Sequence, residues 1–134
     1  MKTAPDTLIA AAEEARRNAH APYSKYTVGV ALTDDRGHVH VGCNVENAAY
    51  PAGNCAETSA IASMVVDGGR RIVDIVVIGG HAAPGACTPC GGCRQRIGEF
   101  ANHTTTVWCR TQDSADLQPF TMDQLLPAAF DLKR

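Results

Sequence analysis

The chain has 134 residues, enough for one hydrophobic core, and is expected to form a single domain over 1–134. With 45% hydrophobic and 19% charged residues it lies outside the disordered class. A net charge of −2, with no cluster of Lys and Arg to neutralise phosphates, argues against a nucleic-acid partner. The N-terminal run MKTAPDTLIAAAEEARR is charged and amphipathic, without the apolar centre of a signal peptide. The most apolar stretch, 72–80, is too short to span a bilayer, so no membrane partner is expected. These features point to a cytoplasmic protein, in which six cysteines read as metal ligands or core residues before disulfides.

In chain order, Leu8, Ala12, Ala15 and Ala19 repeat at helical spacing, with Glu13 and Arg17 placed to pair at i,i+4. That helix should end before Pro22. Val28, Val30 and Leu32 alternate as a strand, and turn chemistry at 34–37 leads to a second alternating run, Val39, Val41, Cys43 and Val45. In that second strand Asn44 and Glu46 share the face opposite the apolar residues. A helix is expected from Cys55 to about Asp67, with Ile61, Met64 and Val65 inward, closed by Gly68-Gly69. The apolar, β-branched 72–80 reads as a central strand buried on both faces. A third helix starts near Gly91, a strand covers 104–110, and a brief strand at Phe120 precedes a short helix capped by Thr121. Helices interleaved with strands predict an α/β fold: a three-layer α/β/α sandwich on a mixed sheet of about five strands.

The chemistry concentrates in three cysteines and one glutamate. Cys90 and Cys93 form a Cys-x-x-Cys entering a helix, and Cys55 stands at the mouth of another. A helix N-terminus favours a thiolate, because its unpaired N–H groups and dipole stabilise negative charge. Three thiolates supply three corners of a zinc tetrahedron and leave the fourth open to water, as in catalytic and not structural sites. Glu57, two residues after Cys55, can sit beside that position without coordinating the metal, as a proton shuttle requires. Zinc nucleobase deaminases follow this plan, with His-x-Glu or a Cys equivalent followed by Pro-Cys-x-x-Cys. Here it reads Cys55-Ala56-Glu57 and Pro89-Cys90-Gly91-Gly92-Cys93.

Along nearly its whole length the chain resembles the small, homotetrameric type of cytidine deaminase. The likeness extends to Ala21-Pro22-Tyr23-Ser24-Lys25-Tyr26, Gly42-Cys43-Asn44-Val45-Glu46-Asn47-Ala48-Ala49-Tyr50, Cys93-Arg94-Gln95 and Leu125-Leu126-Pro127-Ala128-Ala129-Phe130. The resemblance implies one zinc per subunit on Cys55, Cys90 and Cys93, and hydrolytic deamination of cytidine and 2′-deoxycytidine. It makes Asn44 and Glu46 the ribose-binding pair, and puts Tyr26 where the family usually has a Phe packed on the pyrimidine. It gives the Ala56 N–H to the base carbonyl, the Thr88 carbonyl to the leaving amine, and the proton transfers to Glu57. Ala48, Tyr50 and Phe130 match residues that reach a neighbouring subunit's site, so a homotetramer is implied.

The chain departs from many members at Thr58, where Arg usually follows the catalytic Glu. Three thiolates and Zn²⁺ sum to −1, a charge that hydrogen bonds from a nearby cation to the sulfurs would offset. That task is expected to fall to Arg94, the helix N-termini or Arg96. Other readings are a closed four-cysteine site that adds Cys87, a zinc-stabilised module without catalysis, and a deaminase of a modified aminopyrimidine nucleoside of the blasticidin-S type. Cys43 and Cys109 are expected in the core, Trp108 as structural, and four of the five histidines as surface or satisfied residues; His81 is a possible minor lining residue of the pocket.

Overall fold

The computed structural model describes residues 4–80 and 86–132. His81 lies outside them. The elements run α1 (Asp6–Arg17), β1 (Val28–Asp34), β2 (Val39–Cys43), a 3₁₀ turn (Tyr50–Ala52), α2 (Ala56–Val66) and β3 (Ile72–Gly79). They continue with α3 (Gly91–Phe100), β4 (Thr106–Thr111), β5 (Gln118–Phe120) and α4 (Met122–Leu125). The five strands form one sheet in the order β2-β1-β3-β4-β5. Only β3 and β4 are parallel among these neighbours, so the sheet is mixed, as the sequence predicts.

Two apolar layers cover the sheet. On one face Leu8 and Ala12 of α1 pack against Ala31, Val76, Ile78 and Trp108. On the other, Ala60, Ile61 and Met64 of α2, Ile97 of α3 and Leu125 of α4 close over Val30, Leu32, Ile75, Val77 and Val107. β3 contributes to both layers because its side chains alternate between two covered faces. Thr121 caps α4 in a reciprocal capping box with Gln124.

The parallel pairing of β3 and β4 requires a crossover, and α3 rides on it. The start of α3 therefore lies beyond the carboxyl end of β3. The helix α2 precedes β3 and returns to its amino end, so the start of α2 points the same way. Both helix N-termini meet at one end of the sheet, the end where ligands bind in open α/β sheets.

Two local expectations are corrected. Arg17 pairs with Glu14 at 2.8 Å, while Glu13 is ion-paired with Arg110 of β4. Arg110 is buried, and a buried guanidinium needs a carboxylate more than an exposed one does. In β2, Val39 and Val41 point outward, 47% and 45% exposed, while His40 and Gly42 point in. The cause is α2, which crosses β2 so closely that a Cβ on Gly42 would strike the Ala56 carbonyl and the Ala60 amide. Helix approach over the glycine, not the valine periodicity, decides the face. Cys109 is buried as expected, Cys43 only half-buried, and Trp108 belongs to the α1 layer.

Candidate active site

Cys55 is the residue before α2, Cys90 the residue before α3, and Cys93 lies in the first turn of α3. Their sulfurs lie within 4.8 Å of one another. Sulfurs on a zinc tetrahedron with bonds of about 2.3 Å would be about 3.8 Å apart, so the three residues fit that ion. Cys87 stands outside the group, its Sγ 2.7 Å from the Tyr26 hydroxyl. The four-sulfur arrangement is therefore not assembled.

Burial pushes the thiols of Cys55 and Cys93 up, and the charges of Glu57 and neighbouring cysteines act in the same direction. Cys90 differs: burial acts upward, but hydrogen bonds from Cys93 and Cys55 outweigh it and the thiol falls below its ordinary value. Ionising three such thiols together needs a cation among them, which a divalent metal supplies.

Glu57, in the first turn of α2, is only 5% exposed. Burial raises its carboxyl above the usual range, against its own backbone N–H, Cys93 and the charge of Arg96. Glu57 lines a cavity of about 270 Å³ with Tyr26, Val28, Asn44, Cys55, Ala56, Val77, Cys87, Thr88 and Cys90. Ala56 is the first helical residue, and its N–H is one of those an α-helix leaves without an internal acceptor.

Asn44 and Cys55 also line a second, outer hollow of about 490 Å³, so the two adjoin. There Glu46 faces Tyr23, Ser24 and Tyr50. Its carboxylate accepts from the backbone N–H groups of Tyr23 and Ser24, both at 3.1 Å, and from the Ser24 hydroxyl. The Asn44 amide accepts from the Val28 N–H at 2.8 Å and donates to the Tyr26 carbonyl at 2.7 Å. Both members of the expected ribose pair thus also pin the 23–28 segment in place.

The remaining expected residues are spread more widely. Tyr50 is 79% exposed at the rim of the outer hollow, with its ring edge-on to Tyr23 at 6.4 Å. Ala48 is exposed and lines neither hollow, and Phe130, 72% exposed, lines a separate one beside α3 with Gln95 and Leu126. The Arg94 guanidinium donates to the carbonyls of Pro89 at 2.8 Å and Leu125 at 2.9 Å. Thr58 is half-buried, and among the described residues its hydroxyl makes no hydrogen bond to a cysteine. Arg96, by contrast, acts on Glu57 through its charge.

Sequence reasoning passed over three parts of the site. Val28 and Val77 are its apolar walls, which only strand pairing brings together. Cys87, which its spacing offers as a fourth ligand, is instead a wall. Ser24 holds Glu46, and its place in the Tyr-Ser-Lys-Tyr run was the available signal.

A family model described as the cytidine and deoxycytidylate deaminase zinc-binding region matches residues 2–109. A curated cytidine deaminase of Sporosarcina psychrophila is 42% identical over 125 residues, 93% of this chain and 90% of that protein. Another, of Halalkalibacterium halodurans, is 40% identical over 92% of this chain and 91% of its own. The crystal structure of cytidine deaminase from Burkholderia pseudomallei superposes with a TM-score of 0.87 at 40% identity, over 96% of this chain and 100% of the other.

Proposed function

This chain belongs to the zinc-dependent cytidine and deoxycytidylate deaminase family, and on that footing we propose that it hydrolyses cytidine and 2′-deoxycytidine to the uridine products and ammonia. The observation that carries this reading is one cavity that joins Cys55 and Cys90 of the three-sulfur cluster to a buried carboxylate, with an apolar slot beside them. Zinc held by Cys55, Cys90 and Cys93 would polarise water towards a nucleophile at neutral pH.

Glu57 moves the protons. Its raised pKa suits a group that takes one proton from water for ring N3, then a second from the new hydroxyl on the attacked carbon for the departing amine. Tyr26, Val28 and Val77 wall the slot that would take the flat base, and their apolar surfaces exclude bulk water. The Ala56 N–H holds the base carbonyl, and the Thr88 carbonyl accepts from the amine. Asn44, shared by the inner and outer hollows, and Glu46, in the outer one, hold the sugar hydroxyls.

The protein acts as one domain spanning 1–134, in cytoplasmic pyrimidine salvage, as a homotetramer with one zinc per subunit. The exposure of Tyr50 and Phe130 is compatible with shared sites, since aromatic side chains are enriched in subunit interfaces. Among the described residues no helix is long and apolar enough to cross a membrane.

The test is loss of absorbance on cytidine, with and without a chelator, beside zinc quantification and blasticidin S as a competing substrate. Cytidine turnover that follows zinc content is expected. Turnover of blasticidin S alone, or none with zinc loaded, would overturn the reading. Mass photometry at assay concentration tests the tetramer, with a monomer active on cytidine as the contrary result.

A further inference from the structure

The cavity holds a pair of polar groups that the proposed chemistry does not use. The Tyr26 hydroxyl and the Cys87 thiol are 2.7 Å apart, both part-buried, on the wall over β3. They fit there because Gly79 lies beneath them: a Cβ at that position would overlap the Cys87 sulfur and crowd the Tyr26 oxygen. The Tyr26 end is rigid. Its N–H donates to the Ser24 hydroxyl at 2.9 Å and its carbonyl accepts from Asn44 at 2.7 Å. The residue before it, Lys25, is locked in a left-handed conformation at φ 62°, with its N–H on the Ala21 carbonyl.

The Cys87 end is different. Among the described residues no backbone–backbone hydrogen bond holds 86–89 to the sheet. The segment is tied at its far end by Arg94, which bonds the Pro89 carbonyl, and at its near end by the Tyr26–Cys87 contact. Between these ties lies Thr88, which lines the cavity.

We infer that Tyr26 and Cys87 form a latch that positions the 87–90 segment, so that the Tyr26 hydroxyl acts on the reaction through Thr88 and not only through its ring. Tyr26 is then a positioning residue as well as a wall of the base slot. The inference rests on the deaminase reading for its kinetic consequence, while the latch itself is readable without turnover.

The experiment uses the zinc-loaded protein and four variants: Tyr26→Phe, Cys87→Ala, Cys87→Ser and the Tyr26→Phe/Cys87→Ala double variant. Tyr26→Phe keeps the ring, so a residue that only packs on the base would tolerate it. The latch predicts that Tyr26→Phe and Cys87→Ala each lower kcat for cytidine by about fivefold, the worth of one net hydrogen bond, with KM within about twofold. The double variant is no worse than either single one, and Cys87→Ser, which keeps a partner for the hydroxyl, recovers most of the loss.

The second readout is alkylation of Cys87 by iodoacetamide, located by peptide mass mapping. It should be several-fold faster in Tyr26→Phe than in the parent. Unchanged labelling with unchanged kcat in Tyr26→Phe would overturn the latch, as would additive losses in the double variant or a rise in KM alone. If the parent fails to deaminate cytidine, the function reading falls, and the labelling comparison still decides the latch.

Discussion

Among the described residues two side-chain clusters have the donor types and spacing to hold a metal, and they are built in opposite ways. Cys55, Cys90 and Cys93 meet at two helix N-termini beside a buried Glu57. Asp34, His40 and Asp67 meet where the β1–β2 hairpin touches the end of α2, but there Arg36 already bridges both carboxylates, at 2.7 Å and 2.8 Å. His40 and His38 complete the partners of Asp34 and Asp67 at 2.9 Å and 3.0 Å. One cluster supplies its own cation and acts as a staple. The other concentrates acidic groups and leaves its cation to come from solution. Donor geometry alone does not separate a site from a structural knot; the local charge balance does.

The comparison breaks first at Glu57. Glu57→Gln should keep zinc stoichiometry while kcat falls by about 10²–10⁴, the range for losing a general acid–base, as measured by absorbance assay and metal analysis. Retained turnover would remove the proton shuttle from the mechanism. Next, Cys93→Ala should abolish stoichiometric zinc, whereas Asp34→Ala should leave zinc content at the parental value.

Asp34→Ala should act on stability instead, at about 2–3 kcal/mol in denaturant melts, because it strips a buried partner from Arg36 and His40. The pH dependence has a defined sign. Burial pushes Asp34 up, but Arg36, His40 and two backbone N–H groups outweigh it and hold the carboxyl below its usual range; His38 and Arg36 lower Asp67. A depressed folded pKa stabilises above the unfolded value and is lost as pH falls towards the folded one. The gap between the parent and Asp34→Asn should be full near neutrality and narrow as pH drops below about 4. A gap that widens in acid would contradict this.

The smallest effect is expected at Thr58. Thr58→Arg should leave zinc content unchanged and shift the pH–rate profile, since it adds a further cation in the first turn of α2, next to Glu57 and close to Cys55. Arg96 is the candidate for the compensating charge to test first: the Arg94 guanidinium is committed to two carbonyls, while the charge of Arg96 acts on Glu57. If Arg96→Ala leaves the profile in place and Arg94→Ala moves it, that assignment is reversed.

Much of the fold was legible because its signals are local. The apolar run of β3, the breaks at Gly68-Gly69 and the cap at Thr121 each act within a few residues, and the elements lie close to their expected bounds. The misplaced face of β2 and the partner of Glu13 failed for one reason. Both depend on a neighbour far along the chain, α2 over Gly42 in one case and Arg110 in the other.

Residue spacing alone specifies the candidate chemistry: a cysteine and a carboxylate two residues apart at one helix start, and a Cys-x-x-Cys at another. Those spacings are fixed by covalent geometry and helix pitch, so no packing can undo them. Packing brings the two helix starts together, through the parallel pairing of β3 with β4 and the crossover it forces. It also decided that Cys87 turns to Tyr26 and not to the other sulfurs. Three cysteines lie within seven residues of one another in this part of the chain, and which of them face the metal position is set by where the loop is tied, a property of packing that no spacing encodes.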